Sequence, residues 1–414
     1  MDDEHVGGTG EPHGRDPRVP VQGPGVDPVY ETGTRLRVAR PTIDPELAGR
    51  EADGPTAAPD SAGTRILQTT RELLDCEDAY TISHEDGFTW WLERRAQRFS
   101  LSGPHEDGGR RFRTLSFTTD FVAGVSRRTA AVDSLIELLH RGGEMTNAAL
   151  VGDKLVQRGR IAIYEDSSDE EVENRLKMFT HRAILANLIC GAHGPRVAVG
   201  LTADGAGFPN VTADDTVHPT TGPRRHPHPL HDALDRIFVA RGNEPLPGPC
   251  RPDLVECFVD LVKAGYKVFI KPDMSEYFLP GTQRGIEYRV SLDLSERNAM
   301  LGGGMFVRLT LTLPKTIAEK ADFTLPQLLN DLEWDSPDPL MQCGGWALLA
   351  PDLQPGPNPL RPTDELLPLD KTSLLYGAFF PNASMTAGLA MDATLDALAR
   401  VGRTVRWLQP DWPN

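Results

Sequence analysis

Apolar positions fall at helical spacing in some stretches of this chain and alternate in others, and the two periods divide it into elements. ILQTTRELLDC sets Ile66, Leu67, Leu73 and Leu74 along one helical stripe, and FTWWLERRAQRF then supplies Trp90 and Trp91 as core anchors. From Phe112, FRTLSFTTDFV alternates as a strand does. TAAVDSLIELLHRGG carries Val132, Leu135, Ile136 and Leu139 at helical spacing and stops at Gly142 and Gly143. MTNAALVGDKLVQRG predicts a second helix, with Thr146 as N-cap before Ala149, Leu150 and Leu155, and RIAIYED a short strand after it. The acidic run EDSSDEEVE (165–173) opens a long helix: Ser167 and Glu170 have capping-box spacing, and carboxylates suit a helix N-terminus. Val172, Leu176, Phe179, Ile184 and Leu188 carry that helix to Gly191.

Beyond it, PRVAVGLTA predicts a strand, 203–231 a long loop, DALDRIFVAR a short helix and RPDLVECFVDLVKAG a helix running from near Pro252 to Gly265. KVFIK, GIEYRVSLD and GMFVRLTLTLP predict strands, TIAEKADF and PQLLNDLEW helices leading to GGWALLA, and LLYGAFF a strand before a last helix through Leu389, Leu395 and Leu398. No internal repeat is legible. The order is too irregular for a doubly wound sheet or a (β/α)8 barrel, so the expected fold is α+β, predominantly helical, with a small mixed or antiparallel sheet and a disordered N-terminal arm. The expected organisation is an arm at 1–63, a helix-rich region with a helix–turn–helix–strand element at 64–215, and a His/Pro/Arg loop at 216–231. An α/β region at 232–350, a proline-rich crossing at 351–370 and a C-terminal strand and helix at 371–414 follow.

Composition supports the arm. Residues 1–63 hold 10 Gly and 9 Pro with scattered apolar positions, too little burial to offset the entropy of ordering them. A net charge of −16 disfavours a surface built to neutralise phosphates, so no strong sequence-specific nucleic-acid binding is expected. No apolar run reads as a bilayer span, and MDDEHVGGTG lacks the basic-then-apolar order of a signal peptide. Five scattered cysteines (Cys76, Cys190, Cys250, Cys257, Cys343) fit free thiols in an intracellular, cytoplasmic setting.

Candidate chemistry centres on HPTTGPRRHPHPLH (218–231), which gathers four of the 11 histidines. His226, His228 and His231, with His218 or Cys250, number enough for zinc. Pro227 and Pro229, however, hold the backbone extended and send neighbouring side chains apart, and Arg224 and Arg225 repel a cation. A proline-stiffened surface loop is therefore expected, with no metal ligand, cofactor site or catalytic residue assigned. Cys190 and Cys257 lie on apolar helical stretches, where a buried thiol is inert.

Two local resemblances carry functional implications. Ala130 to Asp166 has the order of a winged helix, and ALVGDKLVQRGRIAIYED resembles the second half of a DEP domain over Phe117 to Phe179. That resemblance implies docking on a membrane-associated partner, or on DNA, although Asp153 offsets Lys154 and Arg158 on the reading helix. VFIKPD and GIEYRV are similar to short pieces of ATP-grasp enzymes but lie much closer together than in that family. LGGGMF precedes a strand and so lacks the helix N-terminus that cradles phosphate.

The expected function is accordingly that of a structural, self-assembling homo-oligomer rather than an enzyme, such as the capsid subunit of a double-stranded RNA virus. Such a coat need not neutralise a mobile genome, so an acidic chain suits it. The alternatives are a cytosolic adaptor docking through the DEP-like stretch, and an enzyme with its site near the histidine loop.

Overall fold

A computed structural model describes residues 60–92, 95–141, 146–202, 208, 210–213, 218–226, 228–230, 259–271, 276–294, 297–298, 302–350, 371–381 and 387–409. Helix α1 (Ser61–Leu73) starts where Asp60 accepts the Gly63 N–H at 3.0 Å, and it buries Ile66 and Thr70. Four strands follow as an antiparallel meander: β1 (Thr81–His84), β2 (Gly87–Trp91), β3 (Ala96–Leu101) and, past the short β4 (His105–Asp107), the long β5 (Arg110–Ala123). Helix α2 (Ala130–Arg141) leads to the hairpin β6 (Asn147–Val151) and β7 (Lys154–Tyr164), and β7 returns beside β5. Helix α3 (Asp169–Thr202) then covers β5 and β7.

The same sentence is spoken again further along the chain. A helical segment at 259–263 precedes β8 (Phe269–Ile270), β9 (Glu276–Gln283), β10 (Ile286–Asp293), the short β11 (Arg297–Asn298) and the long β12 (Gly302–Thr312). One helical turn, α4 (Lys315–Ala318), and helix α5 (Thr324–Asp335) lead to β13 (Gly345–Leu349), β14 (Ser373–Pro381) and helix α6 (Ala387–Leu408). The first sheet has the order β1-β2-β3-β5-β7-β6 with β4 beside β5; the second has β8-β9-β10-β12-β14-β13, the same arrangement strand for strand, with β11 beside β12. Each lobe thus holds a seven-stranded antiparallel sheet, a helix before it, a twelve-residue helix inserted before its last strand pair (preceded by the extra turn α4 in the second lobe) and a long helix after it. The repeat lies in topology and is hidden in residues.

The long helices cover the sheets with small apolar contacts. α6 turns Ala390, Ala393, Ala397, Val401 and Val405 onto β9, β10 and β12, a spacing of three or four that keeps one face inward. One core cluster runs from Phe88, Phe99, Phe117 and Phe179 in the first lobe to Tyr277, Phe306, Trp346 and Phe379 in the second. The described residues of the two lobes accordingly form one unit.

The expected predominance of helix is corrected: about 40% of the described residues are helical and 35% lie in strands, in two antiparallel sheets. The helix expected at MTNAALVGDKLVQRG is the β6–β7 hairpin, joined by a two-residue loop with Gly152 at φ 60°. Nearly every β7 residue is buried on whichever face it occupies, so polarity does not alternate and Gln157, Arg158 and Arg160 break up the apolar pattern. The helix–turn–helix order on which the DEP and winged-helix resemblance was drawn is therefore a helix followed by a hairpin.

α3 does not stop at Gly191. It continues through Pro195 because Cys190, Ala198 and Leu201 bury against Phe121, Val125 and Phe208, so the strand expected at PRVAVGLTA is helix. Its capping box sits one residue later than expected, with the Ser168 N–H donating to Glu171 at 3.0 Å and the Glu171 N–H to Ser168 at 3.3 Å. β9 was not anticipated at all. Residues 1–59, the helix expected at 232–241 and the crossing at 351–370 lie outside the described residues.

Candidate functional site

The histidine loop lies as a strap across the corner where α1 turns into β1. Both Thr220 and Thr221 N–H groups donate to His218 Nδ1, at 3.3 and 3.1 Å, and the ring stands edge-on to Trp91 at 4.8 Å. Arg224 donates to Glu77 at 2.7 Å and to the Trp91 carbonyl at 3.0 Å, with its guanidinium 4.0 Å from the Tyr80 ring. His228 is buried: Nδ1 accepts the Leu230 N–H at 3.1 Å, so Nε2 carries the proton and donates to the Asp75 carbonyl at 3.0 Å. Both nitrogens of His228 are thereby committed, while His226 and Arg225 are exposed. His231, Cys250 and Cys257 lie outside the described residues, and among those described no three His, Cys, Asp or Glu side chains converge on a metal position.

The densest polar cluster is elsewhere, between the lobes. Among the described residues β6 and β13 are the terminal strands of their sheets, and each presents backbone groups along its outer edge. Side chains from α2 and α5 meet those groups instead. The His140 Nε2 accepts the Ala148 N–H at 2.9 Å, and its Nδ1 donates to the Trp346 carbonyl at 2.8 Å, so one imidazole spans the two sheet edges. Asn330 accepts the Trp346 N–H at 2.8 Å, and Glu137 accepts that of Leu348. The ring lies so close to β13 that a Cβ on Gly345 would come within 2.4 Å of His140. Burial pulls the His140 pKa down to about 4, because the charged ring is costly there, and the nearby Arg158 charge adds to the effect.

Arginines complete the joint. Arg160, on β7, donates to the carbonyls of Trp334 and Ser336, both at 2.8 Å, and of Glu333 at 2.5 Å. These carbonyls cluster at the C-terminus of α5, where a cation suits the helix dipole. The backbone of Arg160 also exchanges two hydrogen bonds with Gln342, at 3.2 and 2.9 Å. Arg158 reaches Asn147 at 2.9 Å and Asp331 at 3.0 Å while lying 4.4 Å from the Trp334 ring. Arg400 and Glu333 pair at 3.0 Å with side chains only 2% exposed, and Glu333 also accepts from the Trp346 indole at 2.8 Å. On α3, the fully buried Arg182 donates to the carbonyls of Cys343 and Phe379 at 2.9 and 3.1 Å. Every one of these groups is held by bonds that join one lobe to the other or fix the elements at the joint. Sequence reasoning missed them; the signal was a polar residue set inside an apolar helical run, as in LIELLH and QLLNDLEW.

Other candidate chemistry dissolves on inspection. A cleft of about 600 Å³ between α1 and the β1–β2 hairpin is lined by Leu67, Arg71, Cys76, Ser83, His84 and Phe88. Burial pushes the Cys76 thiol up to about 12, so it stays protonated at neutral pH, and the buried Cys190 and Cys343 are raised too. VFIKPD, GIEYRV and LGGGMF contribute to β8, β10 and β12 of one antiparallel sheet, and Lys271 pairs with Glu276 at 2.5 Å. α3 is long and apolar enough by length and composition to cross a membrane, contrary to the reading of the sequence, but half of that apolar window is buried within the fold.

One surface stretch is unusual. Val259, Val262, Tyr266, Phe269 and Ile270 are each between 37% and 55% exposed and fall within twelve residues of chain. Comparison with protein-family models, curated proteins and solved structures finds no match for the chain.

Proposed function

We propose that the protein is a structural, self-assembling component whose work is done by surfaces. The observation that carries this reading is the concentration of exposed apolar side chains at 259–270, next to the edge of a sheet, on a body whose buried polar groups serve its own construction. A joint built from directional, largely buried bonds holds the two lobes in one arrangement, which a repeating assembly requires of its subunit.

Sedimentation of the full-length protein at two salt concentrations, with negative-stain images of any fast fraction, tests the reading. Assembly into a species of defined stoichiometry is expected. A monomer at every concentration removes it. The narrower form of the proposal, a coat subunit of a double-stranded RNA virus, requires closed particles of uniform diameter; a small oligomer retains the structural role and discards the coat.

A further inference from the structure

The repeated topology supplies an internal control for the exposed stretch. β1 and β8 hold the same place in their sheets, each at the outer end of the strand order and each preceded by a helix. Where β1 is exposed it carries Ser83 and His84, the polar residues that blunt a sheet edge. The corner before it is closed by the strap, which bonds to Asp75, Glu77 and Ala79 and packs on Tyr80, Trp90 and Trp91. β8 has neither protection among the described residues. Phe269 and Ile270 point to opposite faces of their strand, and both are about half exposed even though the Phe269 ring stacks on Phe278 at 5.3 Å, so each face of that edge keeps apolar surface in solvent. Val259, Val262 and Tyr266 extend the same apolar surface along the preceding segment.

Resting on the self-assembly reading, we propose that two copies of this chain pair through this surface, with the β8 edges side by side about a twofold axis. Two features select a second copy as the occupant. An antiparallel edge is self-complementary, since a twofold places each donor opposite an acceptor of the same strand in the other copy. Charge also favours it. The chain carries −16 overall, yet 259–271 holds Lys263, Lys267 and Lys271 against Asp260 alone. Lys263 pairs with Asp260 at 2.8 Å and Lys271 with Glu276 at 2.5 Å, which leaves one net positive charge on Lys267, so two acidic bodies approach here across a surface free of their excess negative charge.

The test is sedimentation equilibrium on full-length protein: wild type, the double variant Val262→Asp with Ile270→Asp, and Val199→Asp as a control on α3, where Val199 is 69% exposed. All three positions face solvent, and far-UV circular dichroism checks that each variant folds. The double variant is expected to weaken self-association by about 100-fold, the effect of two charges placed in an apolar contact, with the control within about threefold of wild type. In the wild type alone, amide exchange at 269–271 is expected to slow as protein concentration rises. Equal association by the wild type and the double variant, with exchange independent of concentration, overturns this surface and leaves self-assembly through another one standing. A wild type that stays monomeric overturns both.

Discussion

His140 offers a pH test of the joint between the lobes. Its Nδ1 donates to Trp346 and its Nε2 accepts from Ala148, so the folded protein holds the ring neutral in one tautomer. Protonating Nε2 would set one N–H against another in a buried site, with the Arg158 charge nearby. The folded pKa is about 4 against an ordinary 6.5. Between those values the unfolded chain binds a proton that the folded chain refuses, so this contribution is fully present above pH 6.5 and is lost as pH falls toward 4. At 1.36 kcal/mol per pH unit the loss is about 3 kcal/mol. His140→Gln keeps a neutral group that can both donate and accept but cannot titrate. Urea unfolding followed by tryptophan fluorescence at pH 7.5 and pH 4.0 is expected to show the wild type ahead by about 1–2 kcal/mol at the higher pH. At the lower pH the order is expected to be equal or reversed. Asp396, which burial raises to about 6, works in the opposite sense, stabilising below the ordinary carboxylate range and losing that share as pH rises through 6. It is common to both proteins and cancels in the difference. Parallel stability curves for the two proteins across this window would refute a buried neutral imidazole between the sheets.

Arg160→Met removes three bonds to the end of α5 while keeping much of the side-chain volume, and is expected to cost about 3 kcal/mol in urea unfolding; a loss below about 1 kcal/mol would mean that the carbonyls find other donors at no cost. His228→Ala strips the strap of its bond to Asp75 and its contact with Trp90, for an expected loss of about 1.5 kcal/mol. Added zinc is expected to leave the wild-type melting temperature unchanged, and a rise that disappears in His228→Ala would show that the loop binds metal after all.

Elements whose one face is wet were legible. α1, α2 and β5 each show their period because burial on one side and solvent on the other leave it written in the residues. α6 was legible as a helix but not in its face: Leu395 of the expected stripe is exposed, and Ala390, Ala393, Ala397, Val401 and Val405 turn inward. β7 was not, because it is covered on both faces and must place arginines inside to reach the other lobe. The far end of α3 was not, because Gly191 and Pro195 spell a stop that packing against Phe121 and Phe208 overrides. His218 and His228 drew attention by composition, whereas His140 and Glu137 were passed over as parts of an apolar helix. What distinguishes them is a partner some two hundred residues away, a relation that a local pattern cannot hold.

A chain that repeats one strand order also gives each of its hairpins two places to go while it folds. β6–β7 and β13–β14 answer to the same description, so the sheet of either lobe presents a growing edge that could accept the wrong one. Backbone hydrogen bonding is indifferent to that exchange. The residues that are not are Arg160, which bonds to the carbonyls at the end of α5, and His140, which packs against Gly345. Those same side chains therefore favour the correct pairing once the two halves meet.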